Sequence, residues 1–531
     1  MTLRPSLEGQ RFDVLVIGGG INGVAIAREC ARAGRRTLLV EQFDFAAGTT
    51  SRSTRIIHGG LRYLEQGDLA QVRESLRERQ RLLRERPHLV RPVEFLLALD
   101  GSSRRSALAV RAGLWLYRKL GGALRRVDAG NEKAGLERLL DAGRRFSVFS
   151  FEDAQCEFPE RLVAEWLTEM IAAGGTARNH TQVLAVETRH GRAVAARLRD
   201  SISGKEERVE TTWTINATGP WADRVCGASG ISTAHPMIGG VRGSHIVLPK
   251  FAGAPEAAVY TEAVDGRPIF VIPWNDQVLV GTTEVPDEND PAKAQPSEEE
   301  ISYLWRSFQR LFPAAPVGEA DVLHAFAGVR PLPFSPKADP LAISRRHYFH
   351  GHAEEGAQGM ISVIGGKLTT AASLARECAA KIGIAASDAP VSAIVAQDGL
   401  QEALDRAAVQ VVERGKVSPE TAHGMVEWYG EKAVDIAQIA RAQAEMQAPL
   451  CPHTNHIVAE AVHALERECA VTLADVLLRR VPIALGACWS QACSHEAGGR
   501  IAAVVGWDEK RTARQVEEFE LEYSSFLPRR P

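Results

Sequence analysis

Gly18, Gly20 and Gly23 stand in the order G-x-G-x-x-G, between an apolar run at 12–17 and a stretch at 21–33 whose apolar residues recur at helical spacing. Such a turn can hold a pyrophosphate on backbone alone. The first glycine permits the tight turn, the second lets backbone approach the phosphates, and the third lets the helix pack close on the strand. The helix N-terminus then offers unpaired N–H groups and the positive end of its dipole. Glu41 follows a second strand at 37–40, 23 residues after Gly18, where it can accept hydrogen bonds from an adenosine ribose. Its carboxylate would repel the 2′-phosphate of NADP, so NAD and FAD remain open.

The next segment is rich in hydroxyls: Gly48-Thr-Thr-Ser-Arg-Ser-Thr-Arg-Ile-Ile-His-Gly-Gly-Leu-Arg-Tyr-Leu-Glu65. Thr50, Ser51 and Ser53 suit a pyrophosphate and a ribityl chain, while Gly59 and Gly60 allow backbone to lie against a flat ring. This stretch resembles the FAD-dependent, quinone-linked (aerobic-type) glycerol-3-phosphate dehydrogenases, within the wider D-amino-acid-oxidase-like fold. Four further blocks fall in that family's order: Asn216-Ala-Thr-Gly-Pro-Trp-Ala-Asp223, Arg242-Gly-Ser-His-Ile-Val247, Phe326-Ala-Gly-Val-Arg-Pro-Leu332 and Ile364-Gly-Gly-Lys-Leu-Thr-Thr370. The resemblance spans roughly 12–385 and continues more loosely to Thr472-Leu-Ala-Asp-Val-Leu-Leu-Arg-Arg480, which looks like the family's C-terminal cap.

The resemblance implies FAD as cofactor and oxidation of sn-glycerol 3-phosphate to dihydroxyacetone phosphate, by hydride transfer from C2 to flavin N5, with a membrane quinone as acceptor. It adds Ala217, Gly219, Gly366, Lys367, Leu368 and Thr369 to the expected cofactor contacts, with the Gly365-Gly366 step opening a helix toward the flavin. A phosphorylated polyol carries about two negative charges near neutral pH, so its pocket needs cations, arginines above all. Arg62, Arg330 and Lys367 are those expected beside the flavin, with Tyr63 as a phenolic donor. Loss of the C2 hydroxyl proton requires a base. His245 is the first candidate, with His58, nearer the flavin, and Arg330 also considered. The competing activities are an oxygen-using glycerol-3-phosphate oxidase and an amine or hydroxy-acid oxidoreductase of the same fold. A flavin-binding scaffold without substrate oxidation is the non-enzymatic alternative.

These residues need a frame. At 531 residues the chain is long enough for two or three cores. The patterns predict an α/β fold: a discontinuous, doubly wound Rossmann-type FAD domain at 12–90, 145–235 and 345–390, an antiparallel-sheet substrate domain at 91–144 and 236–344, and a helical cap at 395–531. The charged residues nearly cancel, to a formal net of -3, so nucleic acid is not an expected partner. No window approaches the ~18–20 uncharged apolar residues of a membrane span. A cytoplasmic protein is expected, either free or peripheral on the inner membrane, with a homodimer as the assembly considered.

Between Asp100 and Asp128 lie seven basic residues and no acidic one, interleaved with Leu108, Trp115 and Tyr117. Residues 104–126 therefore read equally as a helix on an anionic membrane surface or as a packed helix with a solvated basic side. The eight cysteines show no C-x-x-C and no zinc-ligand spacing with histidine, so reduced structural thiols and no metal are expected.

Overall fold

The computed structural model describes residues 4–528, apart from 66, 102, 104, 122–128, 337–342 and 386–398. β1 (Arg11–Ile17) is followed by α1 (Ile21–Arg32) and β2 (Thr37–Val40), which pairs parallel with β1. The first sheet grows on both sides of this unit. Glu206–Asn216 and then Met360–Ile364 add in parallel beside β1, and Thr176–Arg178 adds in parallel beside β2. Tyr348–Gly351 closes the far edge antiparallel, and the hairpin Thr181–Arg189/Arg192–Asp200 joins the early half of Glu206–Asn216.

Buried strands of this kind read as continuous apolar runs because helices cover them. On one face α1 packs with the helices Pro159–Ala172 and Ala371–Lys381, around Val14, Val24, Trp166 and Leu374. On the other, Phe12, Leu15 and Leu38 meet Val183 and Leu198 of the hairpin. The register sets Ile17 opposite both Val40 and Asn216, so three carboxyl-terminal strand ends lie level. Crevices outside such ends are where open α/β sheets bind ligands.

The second sheet has nine strands among the described residues. Val241–Pro249, Pro268–Trp274 and Gln277–Gly281, within the 236–344 segment, pair antiparallel. Two features differ from the sequence expectation. The sheet is mixed, because Ala258–Glu262 runs parallel to Val90–Asp100. The boundary at 145 also fails for one strand: Phe146–Cys156 pairs along its whole length with Val90–Asp100 and so belongs to the substrate sheet, not the cofactor sheet. Eleven paired residues outweigh a division drawn at a loop.

The expected helical cap at 395–531 contains the helices Leu400–Gly415, Pro419–Tyr429 and Val458–Arg467. This C-terminal part is held to the first sheet through buried charge. Asp44, just beyond β2, accepts from Arg480 Nη1 and Nη2 at 2.7 and 2.8 Å and from Arg479 Nε at 2.5 Å. Nearby, Glu468 takes Arg161 Nη1 and Nη2 at 2.7 and 3.0 Å. Removing one partner of such a pair strands a charge without water, at a cost of about 3–5 kcal/mol. Asp44→Ala is therefore expected to lower unfolding free energy by about that amount in chemical denaturation; an unchanged midpoint would contradict this view of the cap's attachment.

Candidate functional site

The level strand ends open on a cavity of about 650 Å³. One end is lined by Gly18, Gly20, Glu41 and Thr50, the other by His245, Arg330, Arg345 and Lys367. At the first end, Gly18 has φ +105, and a Cβ there would lie 2.6 Å from the Ala217 carbonyl oxygen. A Cβ on Gly23 would stand 1.8 Å from the Gly18 carbonyl oxygen, so this glycine serves helix–strand packing and lies behind the cavity wall. Gly20 caps α1 without a side-chain bond, and Thr50 Oγ1 accepts from the Ile21 amide at 3.1 Å. Glu41 accepts from the amides of Gly19 and Phe43 at 2.6 and 2.9 Å, and burial raises its pKa against those two bonds.

The site residues expected from sequence divide into two groups. Gly18, Gly20, Glu41, Thr50, Ser53, His58, Tyr63, Ala217, Gly219, His245, Arg330, Gly366, Lys367 and Leu368 line the cavity. Ser51 does not: its hydroxyl donates to the Ala46 carbonyl at 2.7 Å. Gly59 stands under Leu76 and Tyr117, and its amide bonds Asp153. Gly60, with φ +79, makes room for the Tyr63 ring, and Thr369 accepts from the His58 amide at 3.2 Å. Arg62 lies in the short helix Leu61–Glu65, and its side chain falls outside the described residues. Gly365 and Gly366 do not open a helix as expected. Their φ values of +77 and +93 are not helical, and the helix begins at Ala371.

Three lining residues escape the sequence reading. Arg345 follows no motif and pairs with Glu284 across the second sheet. Arg52 sits inside the hydroxyl-rich stretch, where only Thr and Ser drew attention; it donates to Ser525 and lies 3.5 Å over the Phe526 ring. Asn22 occupies an x of the glycine motif, and its buried Oδ1 has no hydrogen-bond partner. Outside the cavity, Cys451, His453 and Cys493, which no sequence spacing links, meet in space.

The second end is positive and poorly hydrated. Lys367 donates to Ser75 Oγ at 3.1 Å and stands 4.2 Å over the Tyr63 ring; burial, with Arg345 nearby, lowers its pKa to about 8. His58 stacks on Tyr63, and burial, then Lys367 and Arg345, bring it down to about 3. His245 lies on Val241–Pro249 against Phe326 of the neighbouring strand, with Nε2 2.9 Å from Thr54 Oγ1 and Nδ1 unpartnered. Burial, then Arg330 and Arg55, push it to about 3, so the ring is neutral near pH 7. Arg330 donates to Thr282 Oγ1 at 3.0 Å and the Thr283 carbonyl at 3.3 Å, above Gly243, where a Cβ would meet the guanidinium at 2.4 Å.

A glycine cradle without Cβ atoms, an unsatisfied Asn22 oxygen and a cavity long enough to join the turn to the cations suit a dinucleotide with a reactive ring at its far end. Fold and site define an FAD-dependent oxidoreductase, and a family model so described matches residues 13–372. The model for the C-terminal domain of alpha-glycerophosphate oxidase matches 363–512. The chain belongs to the FAD-dependent glycerol-3-phosphate dehydrogenase family: it is 35% identical over 547 aligned positions, covering 97% of each chain, to a glycerol-3-phosphate dehydrogenase of Synechocystis sp.. A D-erythritol 1-phosphate dehydrogenase of Brucella abortus is 36% identical over 69% of this chain and 73% of its own. Among solved structures, a glycerol-3-phosphate dehydrogenase from Bacillus halodurans complexed with FAD superposes with a TM-score of 0.77 at 22% identity, covering 98% of this chain and 96% of that one. FAD is the cofactor.

Two outcomes follow. Gly23→Ala is expected to yield protein without bound flavin, measured by absorbance after gel filtration; full occupancy would show that the turn can yield. The second concerns pH. His58 and His245 sit near 3, and His324 and His352 near 4, all held down chiefly by burial. The unfolded chain binds these protons at about 6.5, so stability from these groups is complete above that pH and falls on acidification toward 3–4. A melting midpoint that stays level from pH 7 to 4.5 would refute it.

Proposed function

We propose that this protein oxidises sn-glycerol 3-phosphate at C2 to dihydroxyacetone phosphate and passes the electrons to a membrane quinone. The observation that carries this reading is the cation set Arg52, Arg330, Arg345 and Lys367, gathered in the same cavity as the dinucleotide turn. A phosphate with about two charges suits such a group, whereas an amine substrate would be repelled. FAD, when bound, supplies the hydride acceptor. Arg330 and Lys367 hold the phosphate, with Tyr63 fixing Lys367 beneath it, and Arg62 remains a proposed third contact. His245 takes the C2 hydroxyl proton: its neutral ring is an acceptor, and an anionic substrate raises its affinity for that proton. An arginine stays protonated in a protein, so Arg330 orients and does not act as base. His58, on the Tyr63 side, is assigned to the flavin edge, where Gly59, Gly60, Ser51 and Thr369 shape the wall from behind.

The quinone reading rests on a second cleft, of about 880 Å³, whose walls include Leu61, Leu64, Val110 and Leu116. It shares the short helix that carries Tyr63. The basic helix Ala107–Gly121 packs inward through Val110, Leu114 and Tyr117, while Leu108 is 78% and Trp115 63% exposed beside Arg111, Arg118 and Lys119. Both readings of 104–126 thus meet in one helix, and the exposed face suits an anionic bilayer. Arg104, Arg125 and Arg126 lie outside the described residues. No helix among the described residues is long and apolar enough to cross a membrane.

Anaerobic titration followed by flavin absorbance tests substrate and pocket together. sn-Glycerol 3-phosphate should bleach the flavin, Arg330→Ala should need at least about tenfold more substrate, and His245→Asn should slow bleaching by about 10²–10⁴ with flavin retained. Bleaching by D-erythritol 1-phosphate and not by sn-glycerol 3-phosphate would overturn the substrate; in a separate aerobic turnover assay, peroxide equal to substrate consumed would overturn the quinone.

A further inference from the structure

Cys451 and Cys493 are fully buried thiols 42 residues apart in sequence, and His453 lies between them at the surface. The Sγ atoms of both cysteines and a ring nitrogen of His453 all lie within 4.8 Å of one another, and Cys493 Sγ is 3.7 Å from His453 Nδ1. Zinc–sulfur bonds of ~2.3 Å and zinc–nitrogen bonds of ~2.0 Å at tetrahedral angles place ligand atoms roughly 3.5–3.8 Å apart. The cluster therefore needs little movement to close on an ion. Cys488 lies in the turn before the helix that carries Cys493, exposed; its carbonyl is 3.8 Å from the Cys493 sulfur, while its own thiol stands outside the cluster. Two or three soft thiolates with one imidazole select zinc over magnesium or calcium, which prefer oxygen.

We infer that Cys451, His453 and Cys493 form a structural zinc site in the C-terminal domain, its fourth position taken by the exposed Cys488 thiol once that side chain turns inward. Binding displaces one proton from each ligating thiol and changes no oxidation state. The local architecture explains what the ion would hold. Cys451 precedes Val458–Arg467, and Cys493 lies in the first turn of Gln491–Val505, which packs on Glu509–Tyr523. At the end of that last helix Tyr523 meets His324 at 3.1 Å, and the following turn brings Ser525 and Phe526 onto Arg52. Zinc would pin the two loops from which this wall of the flavin cavity hangs. All ligand side chains reach the ion from one patch, and exposed His453 gives it a path in.

The test is metal analysis of the flavin-loaded full chain expressed with zinc and dialysed without chelator. About one zinc per chain is expected, falling below about a tenth in Cys493→Ser and in His453→Ala. The latter alters only an exposed side chain, so its folding is not at issue. Cobalt in place of zinc should give tetrahedral ligand-field bands at wavelengths beyond the flavin. A strong chelator should lower the melting midpoint of the parent protein and leave His453→Ala unmoved. Metal-free parent protein after zinc loading, zinc retained in both variants, or a Cys451–Cys493 disulfide found by non-reducing mass spectrometry would each overturn the site.

Discussion

The carboxylate of Asp44 is the point on which the two halves of this molecule turn. It stands at the end of β2, three residues beyond Glu41, and accepts the guanidinium groups of Arg479 and Arg480 out of contact with water. Asp475, bonded to His180 and Arg479, extends the same network. Charges so placed are poor evidence for stability against an apolar core, but they are selective, because only one docking of the cap satisfies them all. The strand end that carries Glu41 to the cavity is thus the strand end that anchors the helical domain.

The glycine turn was legible because its chemistry is local. Strand, turn, helix and Glu41 fall within some thirty residues, and Gly23 has its steric reason in Gly18 of the same turn, although Gly18 itself is crowded by Ala217 from a distant strand end. The blocks around His245, Arg330 and Lys367 were legible through family resemblance, and they meet in space because strands of two sheets end at one cavity. What the sequence did not reveal was set by long-range pairing. Arg345 earns its place through Glu284, 61 residues away, and Arg52 through a contact with Ser525. The strand Phe146–Cys156 joined the second sheet for the same reason: its partners lie 46 to 66 residues upstream, and nothing within it marks the side it will choose.

Electrostatics in the cavity run in one direction. Six cations, Arg52, Arg55, Arg224, Arg330, Arg345 and Lys367, and two neutral histidines face a volume whose lining carboxylates are Glu41 at the opposite end and Asp290 near Arg224. Burial keeps His58 and His245 uncharged, so the positive potential comes from the arginines and Lys367 alone and the imidazoles remain neutral. Segregation of charge and basicity within one cavity follows from where each side chain enters: histidines from the sheet and signature stretch, cations from strand ends and turns.

The contact of Arg52 with Ser525 and Phe526 joins residues 473 positions apart. A nascent chain can pair β1 with β2 early, yet the wall around Arg52 cannot be completed until residue 526 has left the ribosome. Contacts of such separation are slow to form and leave apolar surface uncovered meanwhile. Between the emergence of Lys367 and that of Phe526, the positively charged crevice therefore stands open on this side, and the last turn of the chain is the piece that closes it.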